Sequence, residues 1–103
     1  MNSIFLKDEH LAILCGIFED YCPNAQIWAY GSRVAGDAHD GSDLDLAVID
    51  FGDEQCSLAS LKNILNDSNI PFLIDINEFK NLPESFQEEI RKKYVKIFPN
   101  SDL

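Results

Sequence analysis

The sequence predicts an α+β fold, a small mixed sheet of three or four strands with helices packed on it. Three observations lead there. Helix-period and strand-like segments follow one another in the order αβ, turn, βαβα, the pattern of one sheet with helices laid against it. The 103 residues are 46% hydrophobic, enough for one core and too few for two. No repeat, linker or low-complexity tract divides the chain, so residues 1–103 are expected to form a single domain.

From residue 8 to about 21, Leu11, Leu14, Cys15, Phe18 and Tyr21 recur on one helical face, with Asp8 and Glu9 at the end where negative charge complements the helix dipole. Pro23 and Asn24 stop this helix. Residues 26–30 (QIWAY) are short, aromatic and bounded by Gly31, the mark of a strand entering a tight turn. Trp28 and Tyr30 on it are expected to pack in the core or, alternatively, to offer a ring to a nucleobase. The next twelve residues, GSRVAGDAHDGS, contain three glycines and read as a long turn holding at most a short helix. Residues 44–49 (LDLAVI) form a second strand with an acid, Asp45, in its interior. Residues 57–67 carry Leu58, Leu61, Ile64 and Leu65 at helical spacing behind Ser57, a good N-cap. A third strand is expected over residues 72–77 (FLIDIN), again with one acid, Asp75, among apolar neighbours. The last helix is expected from Pro83, at its first position, to about residue 94, with Phe86, Ile90 and Tyr94 as its apolar stripe. Arg91, Lys92, Lys93 and Lys96 then sit at its C-terminal end, where cations complement the dipole or meet an acidic ligand.

The charge excludes some classes of function. Eighteen acids against eight bases give a net charge of −10. Residues 1–61 hold eleven of the acids and only two bases, Lys7 and Arg33. Nonspecific binding to nucleic acid or to an anionic membrane normally requires a basic face, so neither is expected. Metal cations or a basic protein partner suit this surface better. The longest apolar stretches fall well short of a membrane span, and the N-terminus lacks a basic region followed by an apolar signal core, so a cytoplasmic protein is expected. Cys15, Cys22 and Cys56 form no CxxC pair and read as free thiols.

The chemistry concentrates in one constellation. Gly31-Ser32 is followed, after ten intervening residues, by Asp43-Leu44-Asp45, and Asp75 lies on the next strand. Alternate strand residues share a face, so Asp43 and Asp45 present their carboxylates together. Two close carboxylates repel unless a cation sits between them, and a hard divalent ion supplies it. Asp75 could add a third, and three acids on one face can hold two metals that clamp the two oxygens of a phosphoryl displacement. A glycine turn opening a helix exposes N–H groups that hold phosphate, with the Ser32 hydroxyl as a further donor. Arg33 lies beside that turn and is a candidate grip on phosphate, with a pair to an acid such as Asp37 as the alternative. An Asp-x-Asp alone carries little in so acidic a chain; at a fixed distance from Gly-Ser it becomes a strong signal.

The stretch YGSRVAGDAHDGSDLDLAV resembles the signature of the DNA polymerase β-like nucleotidyltransferase superfamily, and more narrowly its minimal nucleotidyltransferase (MNT) group. The likeness covers most of the chain and implies a polymerase β palm-like core. It implies that Gly31 and Ser32 bind the nucleotide phosphates and that Asp43, Asp45 and Asp75 bind Mg²⁺ or Mn²⁺, Asp75 also serving as base; Arg33 joins the nucleotide-binding candidates through its place beside the turn. It further implies a helical HEPN-type RNase toxin as partner, the chain acting as antitoxin by transferring AMP from ATP to a tyrosine of the toxin. Where members often carry basic residues this chain has Ala35 and His39, which favours a second reading: an antitoxin that turns over nucleotide weakly or not at all and neutralises its partner by binding. His39 is expected to be a solvated loop residue or a protonatable donor near phosphate. The chain is expected to have no residues left for a second domain, which disfavours transfer to a small hydroxyl-bearing molecule.

Overall fold

A computed structural model of the chain describes residues 4–99; residues 1–3 and 100–103 of the expected single domain lie outside the described residues. Helix α1 (Asp8–Tyr21) leads into strand β1 (Gln26–Tyr30), a single turn of helix α2 (Ser32–Ala35) and strand β2 (Leu44–Asp50). Helix α3 (Leu58–Asn66) then crosses to strand β3 (Ile74–Glu78), and a 3₁₀ turn (Phe79–Asn81), helix α4 (Glu84–Lys92) and strand β4 (Val95–Phe98) complete the described fold. The sheet order is β3-β2-β1-β4. β1 is antiparallel to both β2 and β4, whereas β3 runs parallel to β2, so the sheet is mixed as expected. The parallel pair needs a crossover, and α3 provides it.

The alternation within each strand sorts the two faces. Ile27 and Ala29 of β1, Leu44, Leu46 and Val48 of β2 and Ile76 of β3 point to one side, where Leu14 and Phe18 of α1 and Leu61 and Leu65 of α3 meet them in the core. Side chains such as these each contribute roughly 1.5–3 kcal/mol on burial. Ser57 caps α3 as expected, its hydroxyl accepting the Ser60 N–H at 3.2 Å. The three cysteines are free, and Cys22 is fully buried, which pushes its thiol up to about 11 and leaves it unreactive. Among the described residues no helix is long and apolar enough to cross a membrane.

Three expectations about the C-terminal region need correction. The helix stops at Lys92 rather than near residue 94, and residues 95–98 are a fourth strand. Lys93 is extended (φ −153°, ψ 110°), and the segment VKIF gains backbone partners on the free edge of β1 while burying Ile97 and Phe98. Pro83 is the N-cap rather than the first helical residue. Of the expected stripe only Ile90 is buried on the helix. Phe86 is 55% exposed, and Tyr94 leaves the helix to stack on Trp28, with ring centroids 3.9 Å apart and planes 10° from parallel. Trp28 also meets the edge of Phe79 at 6.1 Å. Its ring is therefore committed to packing on the second face of the sheet.

Candidate active site

The second face carries the acids. In the register of the sheet Tyr30 pairs with Asp45 and Asp45 with Asp75, so one row across β1, β2 and β3 reads Tyr30, Asp45, Asp75. Partners in a row project to the same side. Asp43 is exposed immediately before β2, one alternation from Asp45, and the three candidate carboxylates thus gather at one end of the sheet. Asp75 accepts a hydrogen bond from the Asn77 side chain at 3.2 Å. Burial, and then the charges of Asp75 and Asp43, push the Asp45 carboxyl above its ordinary range. Tyr30 is affected by the same neighbours: burial first, then Asp45 and Asp75, push its phenol up to about 12, so it stays protonated at neutral pH. The sequence had offered Tyr30 as a packing or stacking ring. Its place beside two carboxylates becomes visible only with the register.

Gly31 ends β1 and opens α2. Its φ of +81° lies in the region that favours glycine, and its carbonyl accepts the N–H groups of Val34 and Ala35 at 3.0 and 2.8 Å. The first N–H groups of such a turn have no partner within the helix and remain available to an anion. Glycine is needed here for a second reason: a Cβ would overlap the carboxylate of Asp45. Gly31→Ala therefore combines a backbone penalty of about 1–3 kcal/mol with displacement of a candidate metal ligand. The expected outcome is loss of stability in urea titration and, because misplacing a reacting group by about 1 Å can cost 10²-fold, a fall in nucleotidyl transfer of about that size.

Arg33 does not do what its position suggested. It is 3% exposed, and its guanidinium donates to three carbonyls: Nε to Ser42 at 2.9 Å, Nη1 to Phe5 at 2.6 Å and Nη2 to Asp40 at 3.0 Å. The Phe72 ring covers it with its centroid 4.0 Å from the guanidinium carbon. Its donors are engaged by main-chain oxygens rather than by Asp37, and the fork ties the segment before α1 to the long turn that delivers Asp43. His39 likewise builds this turn: its Nδ1 accepts the Gly41 N–H at 3.1 Å, and its own N–H is taken by the Ser42 hydroxyl at 3.0 Å. Ser32 lies at the start of α2, where the sequence placed it, and is half-buried.

An open cavity of about 520 Å³ lies over the acidic row. Tyr30, Gly31, Asp45 and Asp75 form its floor, and Phe86, Glu89 and Lys93 line it from the C-terminal side. The donor set fits a hard divalent cation: the carboxylates of Asp45 and Asp75 share one cavity and offer only oxygen ligands. Among the described residues no three such side chains are already gathered around one point, so binding an ion requires the carboxylates to turn inward. Asp43 and Asp75 are both exposed and free to do so.

This fold and this acidic row beside a glycine turn define a class, and residues 14–103 match the family described as polymerase beta, nucleotidyltransferase. The chain belongs to that family and is a nucleotidyltransferase. Within it the chain falls in the minimal branch: it is 39% identical over 95 residues to the probable protein adenylyltransferase MntA of Haemophilus influenzae, spanning 89% of this chain and 82% of that protein. A solved structure described as a toxin-antitoxin with AMP-PNP shares the fold, with a TM-score of 0.67 at 20% identity over 85% of this chain and 72% of the other.

Proposed function

We propose that this chain is an antitoxin that acts in the cytoplasm by transferring AMP from ATP to a tyrosine of a HEPN-type helical toxin. The observation that carries the reading is the row Tyr30, Asp45, Asp75 on an open sheet face beside the Gly31 turn, because it sets oxygen ligands against a phosphate-holding backbone. The similarity to a protein adenylyltransferase supports the choice of AMP and of a protein acceptor. Gly31 and Ser32 hold the phosphates through backbone N–H groups and the serine hydroxyl. Asp43, Asp45 and Asp75 hold Mg²⁺ or Mn²⁺, which when bound offsets their charge and that of the triphosphate and polarises the α-phosphate. The acceptor's phenol oxygen attacks the α-phosphorus as the bond to the bridging oxygen breaks. Pyrophosphate leaves, and Asp75, the most exposed acid of the row, takes the phenol's proton.

The binding-only antitoxin stays as a second reading because one observation favours it. Ala35 brings no charge to the cavity and Arg33 is spent on carbonyls, so among the described residues three acids line the cavity with a single base. The two readings separate when the protein is mixed with the helical protein encoded next to it, ATP and Mg²⁺ or Mn²⁺, and the partner is weighed by mass spectrometry. Adenylyl additions that vanish with Asp43→Asn and Asp45→Asn are the expected result. An unmodified partner, inhibited equally by wild type and by the double variant, would establish the binding reading instead.

A further inference from the structure

The cavity's single base has no assigned task. Lys93 lies where α4 gives way to β4, and it is the one positively charged residue among those lining the cavity with Asp45 and Asp75. α4 explains why it is there: Phe86, Glu89 and Ile90 of that helix line the same cavity, and Lys93 directly follows the helix's last residue, Lys92. The end of a helix that reads in sequence as an ordinary basic terminus thus lies at the cavity that holds Gly31, Asp45 and Asp75.

Its neighbours leave it free. Among the described residues Lys92 is bound to Glu89 at 3.3 Å and Lys80 to Glu78 at 3.7 Å, whereas Lys93 forms no ion pair. Arg91 is turned toward the Phe79 ring, 5.2 Å from its centroid. Lys93 is exposed, so holding its ammonium at the cavity costs little desolvation. A lysine with no ion pair among the described residues, lining one cavity with Gly31 and with carboxylates that a divalent cation would neutralise, is suited to an anion carrying several charges. Neither Ala35 across the cavity nor the buried Arg33 competes for it.

We infer that Lys93 contacts the phosphates of the bound nucleoside triphosphate and supplies the positive charge that the Gly31-Ser32 turn lacks. The inference rests on the nucleotide-binding reading above and adds to it the residue that grips the phosphates.

Equilibrium titration of the full chain with ATP and with AMP, each with Mg²⁺, tests it. Lys93→Gln is expected to weaken ATP binding about tenfold or more, the scale of one charged hydrogen bond, and to change AMP binding much less. Lys93→Arg should keep ATP binding within about threefold, since the charge is preserved. Lys96→Gln makes the same charge change on β4 outside this cavity and should bind ATP as wild type does. Inorganic tripolyphosphate should displace ATP from wild type at lower concentration than AMP does, and lose that advantage in Lys93→Gln. A Lys93→Gln protein that binds ATP as tightly as wild type overturns the inference while leaving the nucleotide site intact. A wild type that binds no nucleotide overturns the nucleotide reading and this inference with it. Equal losses in Lys93→Gln and Lys96→Gln would show general electrostatics only and also overturn it.

Discussion

Asp45→Asn is expected to abolish transfer and to stabilise the protein at the same time. On the first count, an asparagine keeps the shape but gives up the charge that holds a divalent cation. The loss should be about 10³-fold or more, equivalent to ~4 kcal/mol of barrier, read as adenylyl incorporation per unit time. On the second, burial together with Asp75 and Asp43 raises the Asp45 pKa in the folded state above the ordinary 3.8. The folded protein then holds this proton more tightly than the unfolded chain does. Stability from this group is full below the ordinary value and is lost as pH rises through the folded value, so at neutral pH the ionised Asp45 is a net cost. Removing it should raise Tm at pH 7 without metal. The gain should shrink as pH falls toward 4 and also when Mg²⁺ is added, because the cation relieves the same repulsion in wild type. A variant that melts below wild type at pH 7 in chelator would refute the account of Asp45 as a strained ligand.

Arg33→Lys should do the reverse, costing stability far more than nucleotide binding. The guanidinium fork satisfies three carbonyls from Phe5, Asp40 and Ser42 at once, inside a buried site covered by Phe72. A lysine keeps the charge but not the fork, and at most one or two of those acceptors can follow it. Unsatisfied buried groups cost about 1–3 kcal/mol each, so a total loss of about 3 kcal/mol is expected in urea denaturation. Because domains of this kind hold only about 5–15 kcal/mol, most of the protein stays folded at 25 °C and can be titrated. ATP affinity should fall less than tenfold, through loosening of the turn before Asp43. A large loss of ATP affinity with unchanged stability would restore Arg33 to the phosphate-binding role that its place beside Gly31-Ser32 implied.

The contrast between these residues shows what sequence order carries. Gly31, Ser32, Asp43 and Asp45 are legible because a strand, a turn and a strand fix their spacing locally. Asp75 is legible because an acid inside an apolar strand needs a reason. Arg33 is not, since its acceptors are main-chain oxygens, which any residue provides, and one of them comes from a segment that precedes α1. β4 was missed because Ile90 and Tyr94 continue a helical period across the point where the chain straightens, and only the free edge of β1 decides that it does. The place of Tyr30 beside the carboxylates depends on the register with β2, and that of Lys93 on how α4 lies over the sheet. The fold class and the candidate ligands thus lie in the local pattern, while the charge balance of the cavity comes from long-range strand order.

The stack of Trp28 on Tyr94 gives the molecule a built-in optical reporter. Trp28 is the chain's single tryptophan, two residues from Tyr30, with its indole N–H buried and, among the described residues, without a hydrogen-bond partner. Light absorbed only by indole therefore samples one spot, the junction where α4 hands over to β4. A movement of that junction would change the overlap of the two rings and the polarity around the indole. Emission colour and intensity are therefore expected to report such a movement in the native chain without a label.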